Sequence, residues 1–413
     1  MPVPACRPNR RSAIRYIAIL VACLVMLGAL LPGTAAAFPR SLGPTSWPVA
    51  EGGSFRYHVQ PAMSGATAPS AEEFRTEFGP VFDTAERLAT TILATSKVGP
   101  VDVYAYSNLS LFQAMTKSRP IGLTPHAAVV VDTATSDVLV DLTTLLSLST
   151  TQVEDAVRNA VTQVAVQHAA GGAAPPAVAA GIGLYVELPT PEYLARLAST
   201  VQDAAQQNRL LAWFDLNRPI ASSDHELALG ESYAMVAFLI NRYDIPALRT
   251  LLAGLPKAAS WQDAYRTAFA ADAASIEQQW RDDLPRWTTS GWRDNLMASF
   301  DLGPAKALLG QGQYVAAKAL LDPSLNLYRQ LNDPTSLAET QALMAQADTG
   351  IQAEALMTEI ETALREYDYV RAANLLDQAD IQYKALPADQ VPQSLLMTYR
   401  QLATDGLNAT AQL

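Results

Sequence analysis

Histidine and carboxylate side chains are the groups in this chain that could bind a metal ion or move a proton. The chain has four histidines, His58, His126, His168 and His225. His225 and Glu226 form the first half of a His-Glu-x-x-His zinc motif, but the fifth position is Leu229, so the second ligand is missing. We therefore expect no metal site at His225.

Two predicted helices would have to position any such chemistry. Residues 151–170 carry valines at helical spacing, with Thr151 as the predicted N-cap and Glu154 closing a capping box. Residues 176–187 form the second predicted helix. His168 lies nine residues after Asn159, which is about 180° around the helix, so it cannot join a site on the face of Asn159. We expect His168 to cap the helix C-terminus or to face solvent.

Taken together, the two helices resemble the core of a gluzincin-type zinc metallopeptidase, and in particular the peptidase-MA-like family. In that family the first helix carries His-Glu-x-x-His and the second carries Trp-Leu-x-Glu-Gly-x-Ala-Glu-Tyr. A catalytic zinc takes three protein ligands and keeps one position open for water, and the glutamate of the first motif acts as the base for that water.

The motif positions of the resemblance carry different residues in this sequence. Asn159 and Gln163 stand where the family has its two histidine ligands, and Ala160 stands where it has the base. The third ligand, the glutamate before glycine, falls on Ala180, which precedes Gly181. The resemblance therefore implies a degenerate site with no catalytic residue, no metal and no cofactor. Zinc would be expected only if the alignment were misplaced.

The order of the flanking elements carries the resemblance further. Residues 54–145 alternate predicted strands and helices, and the stretch VDVYAYSNLSLFQAMT at 101–116 is similar to the sheet that precedes the zinc helix in the family. Residues 191–290 are predicted to be helical and close on the Glu-x-x-Trp-Arg pattern that ends at Arg281. The resemblance covers about 55–290 and implies an α+β fold, mainly helical, with a small sheet plus helices.

Composition limits the compartment and the partners. Apolar residues make up 49% of the chain and charged residues 17%, which is enough to bury a large core. The two cysteines, Cys6 and Cys23, both lie in the N-terminal segment, so no disulfide framework is expected after it. The net charge of −11 becomes −15 without residues 1–37, which hold four arginines and no acids. Nucleic acid and anionic membrane surfaces are therefore not expected partners.

The first 37 residues are typical of an export signal. A basic segment ends at Arg15, an apolar run follows from Ile17 to Leu31, and small residues up to Ala37 offer a cleavage site. The alternative is an uncleaved membrane anchor, since the run approaches spanning length. Both alternatives place the rest of the chain outside the cytoplasm, extracellular or in the cell envelope. Residues 38–53 are rich in Pro, Gly and Ser and are predicted to be a linker.

An internal repeat distinguishes the C-terminal region, residues 300–413. Residues 314–328 align without gaps on residues 369–383 with seven of fifteen positions identical. Such self-similarity is typical of stacked helical hairpins, similar to tetratricopeptide repeats but with a longer period. The alternative is an unrelated helical bundle with chance matches. We predict a domain at 54–295 and a separable helical-repeat domain at 300–413.

Three functions are compatible with this sequence. The first is an exported, catalytically inactive peptidase-MA-like protein that binds a protein or peptide, or acts as a scaffold, at the cell surface. The second is an active exported metallopeptidase with an atypical or misaligned site. The third is a structural interaction protein whose activity lies in the repeats.

Overall fold

The computed structural model describes residues 47–61, 68–213 and 224–412. The predicted signal at 1–37 and the first part of the predicted linker, 38–46, lie outside the described residues. The prediction of a linker is wrong for residues 49–52, because Val49–Gly52 forms strand β1. Its weakly apolar sequence forms a strand because it pairs antiparallel with the next strand across a turn, where Gly53 adopts a positive φ of 59°.

A five-stranded sheet forms the N-terminal part of the fold. Its other strands are β2 (Phe55–Val59), β3 (Val101–Tyr106), β4 (Val129–Val131) and β5 (Val138–Asp141). The strand order is β1-β2-β3-β5-β4, with parallel pairs in the centre and antiparallel pairs at both edges. Strand β3 is buried along its whole length, since helices or aromatic side chains cover both faces.

Helices make up most of the remaining described chain, so the mainly helical α+β prediction is confirmed. Those up to residue 289 are α1 (Ala71–Leu93), α2 (Leu109–Lys117), the single turn α3 (Leu142–Leu145), α4 (Thr150–Ala169), α5 (Pro176–Glu187), α6 (Pro191–Gln206), α7 (His225–Gly254), α8 (Trp261–Phe269) and α9 (Ala273–Thr289). Those that follow are α10 (Gly303–Gly310), α11 (Tyr314–Leu331), α12 (Pro334–Arg365), α13 (Tyr369–Lys384) and α14 (Gln393–Thr410).

The central helix α4 begins earlier than its sequence predicts. Ser149, not Thr151, is the N-cap, and it forms the capping box with Gln152 rather than Glu154. Two Ser/Thr-x-x-Gln/Glu patterns overlap here with the same spacing. The earlier one forms because it starts the helix directly after the turn that follows α3.

Helix α7 consists of two helices that meet at a break. Asp244 has a φ of 66° and a ψ of 165°, which interrupts the helix before Pro246. Beyond the break, Arg249 donates hydrogen bonds to the carbonyls of Thr91 and Ile92, at 2.9 and 2.8 Å. It also lies 3.3 Å from the carbonyl of Leu331. One guanidinium thus binds the C-terminal ends of α1 and α11, where a cation stabilises the helix dipole.

The internal repeat has a structural counterpart in two tyrosine–glycine contacts. A Cβ atom added at Gly350 of α12 would overlap the ring of Tyr314, the first residue of α11. A Cβ atom added at Gly406 of α14 would overlap the ring of Tyr369, the first residue of α13, in the same way. The repeated sequence therefore packs in a repeated manner. The tetratricopeptide-like character of the region stays a prediction.

The main hydrophobic core continues past the predicted domain boundary. It includes six buried side chains from the start of the C-terminal region: Leu302, Ala305, Leu321, Leu327, Tyr328 and Leu331. A second core, formed by α12, α13 and α14 with Leu309, Tyr314 and Ala317, lies beyond them. The division at 295–300 stays a prediction. In the described part of the chain, no helix is long and apolar enough to cross a membrane.

Candidate functional site: a buried amide pair beside a charged cavity

Helix α4 carries buried polar side chains on the face predicted to hold a zinc site. Asn159 is fully buried and Gln163 is 2% exposed. A buried amide costs free energy unless its donors and acceptors are paired. The partners of these two amides therefore decide whether this face of α4 is free to bind a ligand or is closed by groups of the protein.

The two amides bind each other and the neighbouring helix. The Gln163 side-chain amide donates to Oδ1 of Asn159 at 2.8 Å, and Nδ2 of Asn159 donates to Oε2 of Glu187 at 2.8 Å. Oδ1 of Asn159 also accepts a hydrogen bond from Thr124 at 3.3 Å. Both acceptor directions of the Asn159 oxygen are thus used within the protein.

The segment 121–126 closes the face from the other side. The carbonyl of Leu123 accepts a hydrogen bond from the Gln163 amide at 3.0 Å. Gly122 lies directly over that side chain, since a Cβ atom added there would be 2.5 Å from Oε1 of Gln163. His225, at the start of α7, contacts the carbonyl of Thr124 through Nε2 at 2.9 Å and anchors the segment.

Glu187 joins the amide pair to a histidine. The residue is the last of α5 and is 4% exposed. Its Oε1 atom lies 2.9 Å from Nε2 of His126, and its backbone carbonyl accepts a hydrogen bond from Arg158 at 2.9 Å. The ring nitrogen approaches outside good hydrogen-bonding geometry, so this contact is a close approach and not a hydrogen bond.

The structure brings some of the predicted positions together and not others. Asn159 and Gln163 share one face, whereas Ala160 and Ala180 are buried and contribute only apolar packing. Helix α5 approaches the two amide side chains most closely at Gly183, where an added Cβ atom would lie 3.0 Å from Cγ of Gln163. That these four residues occupy the motif positions stays a prediction.

Sequence reasoning did not assign Glu187 and His126 to the site. Glu187 could have been found, since it lies seven residues after Ala180 and so falls on the same face of α5. It is also the only acidic residue of that helix. His126 precedes β4 in an irregular segment, and no periodicity marks its position. The other two histidines behave differently, since His168 is exposed at the end of α4 and His58 pairs with Asp102 on the opposite side of the sheet.

The residues at the predicted ligand positions do not fit a zinc ion. Zinc prefers imidazole, thiolate and carboxylate donors, and amide oxygens are poor ligands for it. The Asn159 oxygen already accepts two hydrogen bonds, and alanine at positions 160 and 180 offers no donor atom. Within the described ranges, no group of three or more His, Cys, Asp or Glu side chains is placed to hold a metal ion.

A cavity of about 400 Å³ opens beside the amide pair. Its charged and aromatic lining residues are His126, Asp155, Glu187, Tyr193 and Arg196. Burial and the nearby charge of Glu187 raise the pKa of the Asp155 carboxyl to about 6. The same two causes raise the pKa of the Tyr193 hydroxyl to about 12.

This fold and this site define a class of protein: a peptidase-like domain with amides and alanines at the positions that are predicted to correspond to the metal site of a metallopeptidase. Residues 83–285 match the family model of the peptidase MA superfamily. This part of the chain belongs to that superfamily, as its sequence predicted. No curated protein and no solved structure matches the chain.

Proposed function

We propose that this protein is an exported, catalytically inactive member of the peptidase MA superfamily that binds a protein or peptide partner at the cell surface. The observation that carries the proposal is the Asn159–Gln163 amide pair, closed between Glu187 and the segment 121–126. Peptide hydrolysis on this frame needs a polarising metal and a base for water. An alanine at position 160 cannot accept a proton.

Closure of the face supports binding rather than hydrolysis. A catalytic zinc site keeps one position open for water and substrate. Here Leu123 and Gly122 of the covering segment contact Gln163 directly. The adjacent cavity stays open to solvent, so a ligand would be held there without a metal within reach.

Export is supported by the N-terminal sequence, whose basic, apolar and small-residue parts follow in the order of a secretion signal. The C-terminal hairpins would then extend the binding surface. Two tetratricopeptide-like units, marked by the Tyr314–Gly350 and Tyr369–Gly406 contacts, would act as the scaffold.

One observation favours a second candidate, an active peptidase with a differently placed site. His126, Glu187 and Asp155 line the same cavity and could act as acid and base. A broad peptide library incubated with the purified protein separates the two candidates by mass spectrometry of the products. The proposal predicts no cleavage. Cleavage that is lost in His126→Ala and kept in His168→Ala would establish the second candidate.

A further inference from the structure

The charged cavity is suited to one chemical class of ligand, and this inference rests on the proposed binding function. Its walls include the apolar groups of Ala128, Leu148 and Pro189 and the ring of Tyr193. Its volume of about 400 Å³ falls in the range of small-molecule and side-chain pockets. A ligand with a hydrocarbon portion would therefore remove apolar surface from water on entering.

Asp155 is the acidic group of the cavity that is less completely compensated. It lies 3.6 Å from Arg158, too far for a hydrogen bond, whereas Glu187 lies 2.9 Å from His126 and accepts a hydrogen bond from Asn159. Arg196, the arginine that lines the cavity, forms an ion pair of 2.7 Å with Glu226 of α7. Its charge is thus offset from outside the cavity.

The charges of the residues that line the cavity consequently favour a positively charged ligand. The repulsion between Asp155 and Glu187 adds to burial in raising the pKa of Asp155. A cation near both carboxylates would relieve that repulsion, whereas an anion would add to it. A wholly apolar ligand would cover the carboxylates without pairing them, which costs free energy.

We propose that this cavity binds the side chain of a lysine or arginine of the partner, with its methylene stem against Leu148, Pro189 and Tyr193 and its cation beside Asp155 and Glu187. Both side chains combine an apolar stem with a charged end.

Matched hexapeptides test the inference on the full mature chain. Each peptide is N-acetylated and C-amidated, with an alanine and serine background and a single lysine, arginine, norleucine or glutamate. Acetylation removes the terminal amine as a competing source of positive charge. We expect the lysine and arginine peptides to bind at least tenfold more tightly than the norleucine peptide, and the glutamate peptide to bind most weakly.

Two variants locate the binding. Asp155→Asn should reduce the preference for lysine over norleucine at least fivefold, while Asp203→Asn, at an exposed position of α6, should leave it unchanged. Thermal unfolding of both variants checks that they are folded. If the unaltered protein binds the norleucine and lysine peptides equally tightly, that result alone overturns the inference.

The same samples distinguish failure of the inference from failure of the proposed function. Peptides recovered intact but bound without preference for a cation would contradict the cavity assignment alone. Peptides recovered as cleavage products would contradict the proposed inactivity. A lysine preference that Asp155→Asn leaves intact would place cation binding elsewhere and also overturn the inference.

Discussion

The side-chain amide of Asn159 donates a 2.8 Å hydrogen bond to the carboxylate of Glu187, and both side chains are almost completely buried. This bond joins α4 to α5 at the centre of the peptidase-like fold. Asn159, which stands at a predicted metal-ligand position, therefore has the Glu187 carboxylate as its partner.

Removing the Asn159 amide should destabilise the fold. Asn159→Ala leaves one N–H of the Gln163 amide and one Glu187 oxygen without their partners inside the core, while the bond from Gln163 to Leu123 remains. We expect a loss of about 1–3 kcal/mol in the free energy of unfolding. Urea denaturation measures it, with the exposed Asn374→Ala as control, expected within about 0.5 kcal/mol of wild type. Equal stability of the two variants would contradict a structural role for the bond.

Glu231 should make stability fall as pH rises. Its side chain is fully buried, one oxygen accepts a hydrogen bond from the Leu211 amide, and the other has no partner in the described part of the chain. Burial raises the pKa of this carboxyl from 4.5 to about 8. Between these two values the unfolded chain loses the proton that the folded chain keeps, so stability is lost as pH increases.

Glu231→Gln tests this dependence. Glutamine can still accept the bond from Leu211 but does not titrate. The variant should gain stability relative to wild type between pH 5 and pH 8, by about 1.4 kcal/mol for each unit of pKa shift lost. Urea denaturation at pH 5 and at pH 8 measures this change in relative stability. Glu366→Gln, at an exposed position, should show no such change. A Glu231→Gln effect that is independent of pH would show that the carboxyl is not held neutral.

The tyrosine–glycine contacts of the repeat should be sensitive to one added carbon. Gly350→Ala places a methyl group on the ring of Tyr314 and should cost about 1–3 kcal/mol through overpacking. Gly406→Ala, which meets Tyr369, should behave alike. Gly310→Ala is the control, since nothing lies within 4 Å of its added Cβ and alanine favours a helix by about 0.5–1 kcal/mol. Equal melting temperatures of the three variants would contradict the packing.

The predicted domain boundary can be tested by comparing two shortened chains. A chain ending at 295 loses Leu321, Leu327 and the other side chains that α10 and α11 add to the main core, whereas one ending at 332 keeps them. We expect cooperative thermal unfolding of the longer chain and weaker or no cooperativity of the shorter one. If both unfold alike, the peptidase-like core is independent of α10 and α11, as a boundary at 295–300 requires.

Local sequence signals located most elements of this fold. The predicted helix at 176–187 has the bounds observed for Pro176–Glu187, and strands and helices alternate within 54–145 as predicted, because periodicity and cap residues near each segment determine them. Strand β1 was missed because its pairing with β2, not its own composition, makes it a strand. The α4 cap was misplaced because two equivalent capping patterns overlap.

The site was less predictable than the fold. The contacts that define it join residues far apart in the chain, such as Gln163 with Leu123 and Glu187 with His126. No local pattern specifies which segment will cover a helix face. The family resemblance supplied the positions to examine, and only the three-dimensional arrangement supplied their partners.

Zinc content is the most direct test of the central claim, that positions 159, 160, 163 and 180 are a lost zinc site. The chain without residues 1–37 and its variant Asn159→His, Ala160→Glu, Gln163→His, Ala180→Glu are equilibrated with zinc, dialysed and measured by elemental analysis, after circular dichroism has shown both to be folded. We predict no stoichiometric zinc in the wild-type protein and one zinc per chain in the variant. One zinc per wild-type chain after dialysis, or a folded variant that gains none, would contradict the account.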